Sequence, residues 1–136
     1  MIHFDDIIKQ ISSEFTDAWN NWDMDKIMCC LHSNIIIESP NISKIYPDNT
    51  SNILIGKEDV RLYWEALRLQ YGHLKVTQFK IEKKDCEVTT LNLVESSGVI
   101  IKETFTMNEY GKINHLIYKY IQPEETTQFT DMNLRI

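Results

Sequence analysis

Basic charge is scarce in this chain: 14 Lys and Arg stand against 20 Asp and Glu, a net charge of -6 at neutral pH. Nucleic acid and anionic membrane surfaces both require a basic face, so neither is expected as a partner. Long apolar runs are missing too, and no stretch approaches the ~20 residues that a membrane span requires. The opening Met1-Ile2-His3-Phe4-Asp5-Asp6 has acids where a signal peptide would carry Lys or Arg, and no apolar region follows it. Cysteine is limited to three residues, an odd number, and two of them, Cys29 and Cys30, are adjacent. Free thiols in a reducing cytoplasm account for that pattern, so a cytoplasmic protein is expected. Adjacent helical residues point about 100° apart, so Cys29 and Cys30 cannot chelate together. No Cys, His or Asp spacing matches a metal site, and neither a metal nor a cofactor is expected. Asn41-Ile42-Ser43 and Asn49-Thr50-Ser51 match glycosylation sequons, which stay idle without export.

What is present fits one globular domain. The 136 residues are 43% hydrophobic and 25% charged, enough to bury a core without disulfides or metal. A single domain is expected over residues 1–121, with a polar tail over 122–136 in which Phe129, Met132, Leu134 and Ile136 stand isolated. Phe4, Ile7, Ile8, Ile11, Phe15, Ala18, Trp19 and Trp22 recur at three- and four-residue steps and predict an amphipathic first helix. Asp23 caps a short second helix with Met24, Ile27, Met28 and Leu31 on its apolar face, ended by His32-Ser33-Asn34. Ile35 to Ser39 reads as a strand that Pro40 closes, because proline has no N–H for a sheet ladder.

Residues 41–52 lack periodicity and predict a long loop, of a length that is more often functional than merely connecting. Ile53-Leu54-Ile55 is a short strand leading to Gly56. A third helix is expected from Lys57 to Tyr71, with Glu58 and Asp59 opposing its dipole, a buried stripe of Val60, Tyr63, Trp64, Leu67 and Tyr71, and Gly72 as its stop. Four strand patterns follow, at 74–83, 86–95, 99–107 and 112–121, with turns near Lys84-Asp85, Ser96-Ser97-Gly98 and Glu109-Tyr110-Gly111.

In this order, the Trp22-Asp23-Met24-Asp25 junction, the Pro40 strand end, Gly56-Lys57 and Asn108-Glu109-Tyr110-Gly111-Lys112 resemble the nuclear transport factor 2-like superfamily, in its SnoaL-like and ketosteroid-isomerase-like branch. The resemblance covers roughly residues 4–121. It implies a cone-shaped α+β fold, three N-terminal helices packed on a curved, mostly antiparallel sheet, with a pocket between the helices and the concave face. It also allows functional positions to be compared one at a time. The isomerases carry a catalytic base where this chain has Ser39, before Pro40, and an oxyanion-binding tyrosine where it has Phe15. A second acid of that machinery corresponds to Glu103, and an aromatic on the last strand to Tyr120. With base and tyrosine both replaced, steroid isomerisation is not expected.

Strand alternation reaches Glu103 independently. Glu103, Phe105 and Met107 share one face, and two apolar neighbours imply that the carboxyl points inward. A buried carboxylate loses hydration, so its pKa should rise and suit it to proton transfer near neutral pH. Leu116, Tyr118 and Tyr120 share the inner face of the last strand. His32 is the histidine expected nearest the pocket, in a capping or surface role ahead of that of a general base. Ile113 and Ile117, with Thr104 and Thr106, are expected on the outer face, and exposed apolar sheet implies a partner. The resemblance makes that partner a second copy of the chain, a homodimer.

Two functions follow as expectations. One is a SnoaL-like pocket for a small apolar ligand, lined by Phe15, Trp19, Ser39, Trp64, Phe105, Tyr118 and Tyr120, with Glu103 as the catalytic group. As an enzyme it would be a cofactor-independent isomerase, lyase or cyclase acting on a small carbonyl compound by proton transfer, dehydration or cyclisation. The other is a non-catalytic module of the same fold that binds protein.

Overall fold

Helix α1 (Phe4–Asn20) buries most of the stripe expected of it: Ile8, Phe15 and Ala18 are buried and Ile11 and Trp19 half-buried, whereas Ile7 is exposed and Trp22 lies past the helix end. The structure is a computed structural model and describes residues 4–124. The tail positions Phe129, Met132, Leu134 and Ile136 lie outside the described residues. Asn20 ends α1 by tying it to the sheet. Its amide donates to the Val76 carbonyl at 2.8 Å, and its Oδ1 accepts from the Val76 N–H at 2.9 Å. Trp22 then takes a positive φ of 52°, and the Asp23 carboxylate caps α2 (Met24–Cys29) by accepting from the Lys26 N–H at 3.2 Å.

Helix α2 is shorter than the apolar spacing suggests. Leu31 already belongs to β1 (Leu31–Glu38), opposite Ile113, so His32-Ser33-Asn34 lie in a strand and do not end a helix. The register slips between Leu31 and Ile36, and inside that slip the His32 Nδ1 accepts from the Asn34 N–H at 3.0 Å. A bulge therefore absorbs the polar residues that read as a helix end. The 41–52 segment also departs from an open loop. One turn of helix, α3 (Ile42–Ile45), buries Ile42 completely. Asn52 Oδ1 accepts from the Ser43 N–H at 2.9 Å and Asn49 Oδ1 from the Asn52 N–H at 3.0 Å. Asparagine side chains thus stand in for missing backbone partners.

Strand β2 (Ile53–Ile55) pairs with the end of β1 and leads through Gly56 into α4 (Lys57–Tyr71), which buries Val60, Tyr63 and Trp64. Tyr71 was expected in that stripe but is 52% exposed, because it sits in the last turn beyond the packed surface. The remaining strands are β3 (Val76–Lys84), β4 (Glu87–Val94), β5 (Ile100–Met107) and β6 (Ile113–Ile121). They join β1 and β2 in one open six-stranded sheet of order β2-β1-β6-β5-β4-β3. Every pairing is antiparallel except β1 with β6. The fold is α+β and of nuclear transport factor 2-like architecture, and its core joins α1, α2 and α4 to Ile35 and Ile37 of β1, Val88, Phe105 and Leu116. Among the described residues no helix is long and apolar enough to cross a membrane.

One face assignment is overturned. Ile113 was expected outside with Ile117, yet it is 1% exposed and belongs to the core. The β5–β6 register shifts between Thr106 and Met107, so Thr106 faces His115 while Met107 faces Ile113. That irregularity breaks simple alternation and turns Ile113 inward. Replacing Ile113 by Ala should therefore cost about 2–4 kcal/mol in urea unfolding. A loss below about 0.5 kcal/mol, the size usual at the surface, would restore the outward assignment.

Candidate functional site

The cavity is a consequence of two helical stripes facing one side of the sheet. Phe15 and Trp19 of α1 and Trp64 of α4 meet edge to face, with ring centres 6.2 Å apart for Phe15–Trp64 and 5.7 Å for Trp19–Trp64. Such pairs are favoured by the aromatic quadrupole, and they hold the wall without filling the space beneath it. The Trp19 indole is fixed by donating to the Leu74 carbonyl at 2.8 Å. Between these rings and the inner faces of β3 to β6 lies a cavity of about 400 Å³. That volume suits a small organic ligand.

Its polar floor is Glu103 with Tyr118, and a row set by strand register adds Thr90 behind the carboxyl, outside the lining. Thr90 on β4 is paired with Glu103 on β5, and Glu103 is paired with Tyr118 on β6. The row closes through hydrogen bonds. The Thr90 hydroxyl donates to Glu103 Oε1 at 3.5 Å, and the Tyr118 hydroxyl bonds to the same carboxyl. Asn92 supports Thr90 by donating to its Oγ1 at 3.0 Å and to the Ile101 carbonyl at 3.3 Å. Glu103 is 8% exposed, and burial pushes its carboxyl up from 4.5 to about 7, with the bonds from Tyr118 and Thr90 pulling the other way. The group is therefore poised between its two protonation states near neutrality, as a general acid or base requires.

A second polar station lies at the end of β1. The Tyr63 hydroxyl donates to Ser39 Oγ at 3.4 Å, the Ser39 and Tyr120 hydroxyls are hydrogen-bonded at 3.5 Å, and the Asn41 N–H donates to Ser39 Oγ at 3.3 Å. Ser39 is buried because Pro40 ends the strand there, leaving the serine to face inward with Ile35 and Ile37. Burial raises the phenols of Tyr63, Tyr118 and Tyr120 above their ordinary range. All three stay protonated and remain donors at physiological pH.

Of the residues expected in the pocket, Phe15, Trp19, Ser39 and Trp64 line the cavity, as do Glu103, Tyr118 and Tyr120. Phe105 does not. It is 2% exposed and packed into the core, one inward position past Glu103, where the helices and sheet close together. His32 is likewise not at the cavity, since β1 begins earlier than expected and carries it away. The histidine at the wall is His73, just after α4, stacked near Trp19 and Trp22. Its Nε2 lies 3.0 Å from the Asn20 carbonyl, which can only accept, so Nε2 carries the proton. Its buried Nδ1 is without a hydrogen-bond partner among the described residues.

Thr90, Asn92 and Tyr63 were not anticipated as site residues. A signal for the first two existed: Val88-Thr90-Asn92-Val94 alternates as an inward row with two polar members, and a buried polar pair on an apolar face asks for a partner. Tyr63 reads as core, and only the fold brings its hydroxyl to Ser39. Among the described residues no cluster of His, Cys, Asp or Glu could hold a metal ion.

No protein-family model matches this chain, and no curated protein sequence matches it either. Solved structures do. A SnoaL-like protein of unknown function from Burkholderia thailandensis superposes with a TM-score of 0.74 at 27% identity, over 88% of this chain and 98% of that one. An NTF-2 like protein of unknown function from Burkholderia xenovorans superposes at 0.72 with 11% identity, over 97% and 96%. A Sinorhizobium meliloti protein named for the polyketide cyclases superposes at 0.67 with 15% identity, over 81% and 94%.

The raised pKa of Glu103 has a measurable cost. Below pH 4.5 the carboxyl is protonated in both the folded and the unfolded chain. Between 4.5 and about 7 the unfolded chain releases the proton first, so stability falls as pH rises and levels off above 7. The integrated loss is on the order of 3 kcal/mol. Urea unfolding across pH 4–8 should show this decline in the wild type and not in Glu103→Gln, and parallel curves would remove the shift.

Proposed function

We propose that this chain, which carries the nuclear transport factor 2-like fold, is a SnoaL-like pocket protein that moves a proton on a small, largely apolar carbonyl compound. The observation that carries this reading is Glu103, buried at the floor of an aromatic-walled cavity with its carboxyl near pKa 7. In its ionised form the carboxylate takes a carbon-bound proton beside a carbonyl. Tyr120 then donates a hydrogen bond to the oxygen on which negative charge develops, the Tyr118 hydroxyl being engaged by Glu103 itself. The protonated Glu103 returns the proton elsewhere on the same molecule, which gives isomerisation. Returned to a departing hydroxyl, it gives dehydration. Neither step requires a cofactor. Ser39 orients a ligand oxygen and is not a base, since its hydroxyl partners Tyr63 and Tyr120 are phenols that burial keeps protonated and neither can take its proton away.

Ser39 and Phe15, standing where the resembling isomerases carry base and tyrosine, favour a second reading in which the cone binds a ligand or protein without turnover. We also propose pairing of two copies through the outer sheet face, where Ile117 on β6 and Thr104 and Thr106 on β5 remain partly exposed.

A flat apolar probe whose ring opens on loss of one carbon-bound proton, 5-nitrobenzisoxazole, separates the two readings. Turnover by the full chain should rise with pH through about 7 and fall at least 100-fold in Glu103→Gln. Equal rates in wild type and variant would leave only the non-catalytic reading. Tyr118→Phe removes a bond that lowers the Glu103 pKa, so the midpoint of the pH profile should move upward. An unmoved midpoint would mean that Tyr118 does not act on the carboxyl.

A further inference from the structure

The charges at the cavity mouth are arranged differently from those on the rest of the surface. Lining residues that are also exposed mark the rim: Lys44, Arg68, Tyr71, Gly72, Ser97 and Gln122. Two are cations and none is an acid, in a chain whose net charge is -6. The single carboxyl that lines the cavity, Glu103, is at the floor. Neither Lys44 nor Arg68 forms an ion pair among the described residues. Glu65, the acid one turn before Arg68, is already engaged by Arg61 at 3.1 Å. Arg68 is also held in place, with its guanidinium carbon 4.6 Å from the centre of the Trp22 ring. That contact engages the guanidinium through the ring and takes up none of its N–H groups as hydrogen-bond donors, and their fork matches the oxygens of a carboxylate or sulfonate. Lys44, on the one-turn helix α3, brings a flexible ammonium to the same mouth.

We infer that the cavity takes an amphiphilic organic anion, with its apolar body against Phe15, Trp64, Val94 and Ile101 and its acidic group at the rim, on Arg68 and Lys44. This rests on the pocket reading above and narrows its ligand class. The orientation follows from charge. An anion pushed to the floor would meet Glu103, which would repel it whenever ionised, whereas the rim offers two cations in contact with water. The rim cations also draw such a ligand toward an otherwise repelling acidic surface, an attraction that salt weakens. The group left facing Glu103 is then an uncharged oxygen or an acidic C–H, as proton transfer there requires.

Two dyes with one skeleton test this: 8-anilino-1-naphthalenesulfonate, which is anionic, and N-phenyl-1-naphthylamine, which lacks the sulfonate. Fluorescence titration of the full chain should show the anion binding about three- to tenfold more tightly at low salt, with the margin shrinking as salt rises. Arg68→Gln and Lys44→Gln should each remove much of that margin and leave the neutral dye unchanged. Lys119→Gln, the same charge change on the outer face, should do nothing. Ile101→Trp, which fills the cavity, should weaken both dyes.

Equal affinity for the two dyes, or a margin that survives both rim variants, overturns the anion assignment while leaving the pocket intact. Binding of neither dye overturns it together with the pocket reading. Anion binding that ignores Ile101→Trp puts the dye outside the cavity and also overturns it. The rim substitutions are at exposed positions, so the test does not depend on the cavity-filling variant folding.

Discussion

A carboxyl group denied water is the constraint around which this molecule is arranged. Glu103 lies between Thr90 and Tyr118 in a single transverse row of three strands, and each neighbour supplies a hydrogen bond that partly replaces lost hydration. The row works only if β4, β5 and β6 keep their register, since a slip of one residue would put the carboxyl on the opposite face of the sheet. Asn92 extends the same logic by holding Thr90, and the aromatic rings overhead keep bulk solvent away. Stability and chemistry are thus in opposition at this position. An isosteric apolar residue would pack more cheaply, and it would have no proton to give or take.

The two polar stations divide the labour of the cavity. Around Glu103 the protein offers a group whose charge can change near neutrality. Around Ser39 it offers hydroxyls and an amide that cannot change charge there, because burial holds the phenols above their usual range. A ligand spanning the two would meet a titrating end and a purely hydrogen-bonding end. The aromatic wall between them supplies area without direction, as expected of a site that selects its ligand by a few polar contacts set in an apolar surround.

Much of this was legible in the residue order, and the failures have identifiable causes. Glu103 could be placed inward because Phe105 and Met107 share its parity, and Phe15, Trp19 and Trp64 recur at helical spacing. What alternation cannot reveal is where it is interrupted. The slip between Thr106 and Met107 turned Ile113 into the core, and the slip between Leu31 and Ile36 made strand of residues that read as a helix end. Phe105 was assigned to the right face but to the wrong end of it, since parity says nothing about where a cavity stops. His73 and Tyr63 reach the site from α4 and its C-terminal end through packing, so no local pattern could announce them.

The parallel pairing of β1 with β6 has a consequence for how the chain comes into being. Four of the five strand pairings join strands consecutive in sequence, but the inner edge of β1 finds its partner some 80 residues downstream. During translation the isoleucine-rich strand Leu31–Glu38 must wait, with one row of amides and carbonyls unclaimed, until the ribosome has released residues 113–121. An apolar edge left open for that interval is an invitation to foreign strands. Closure of that edge by the last strand is thus the step of assembly with the longest reach along the chain.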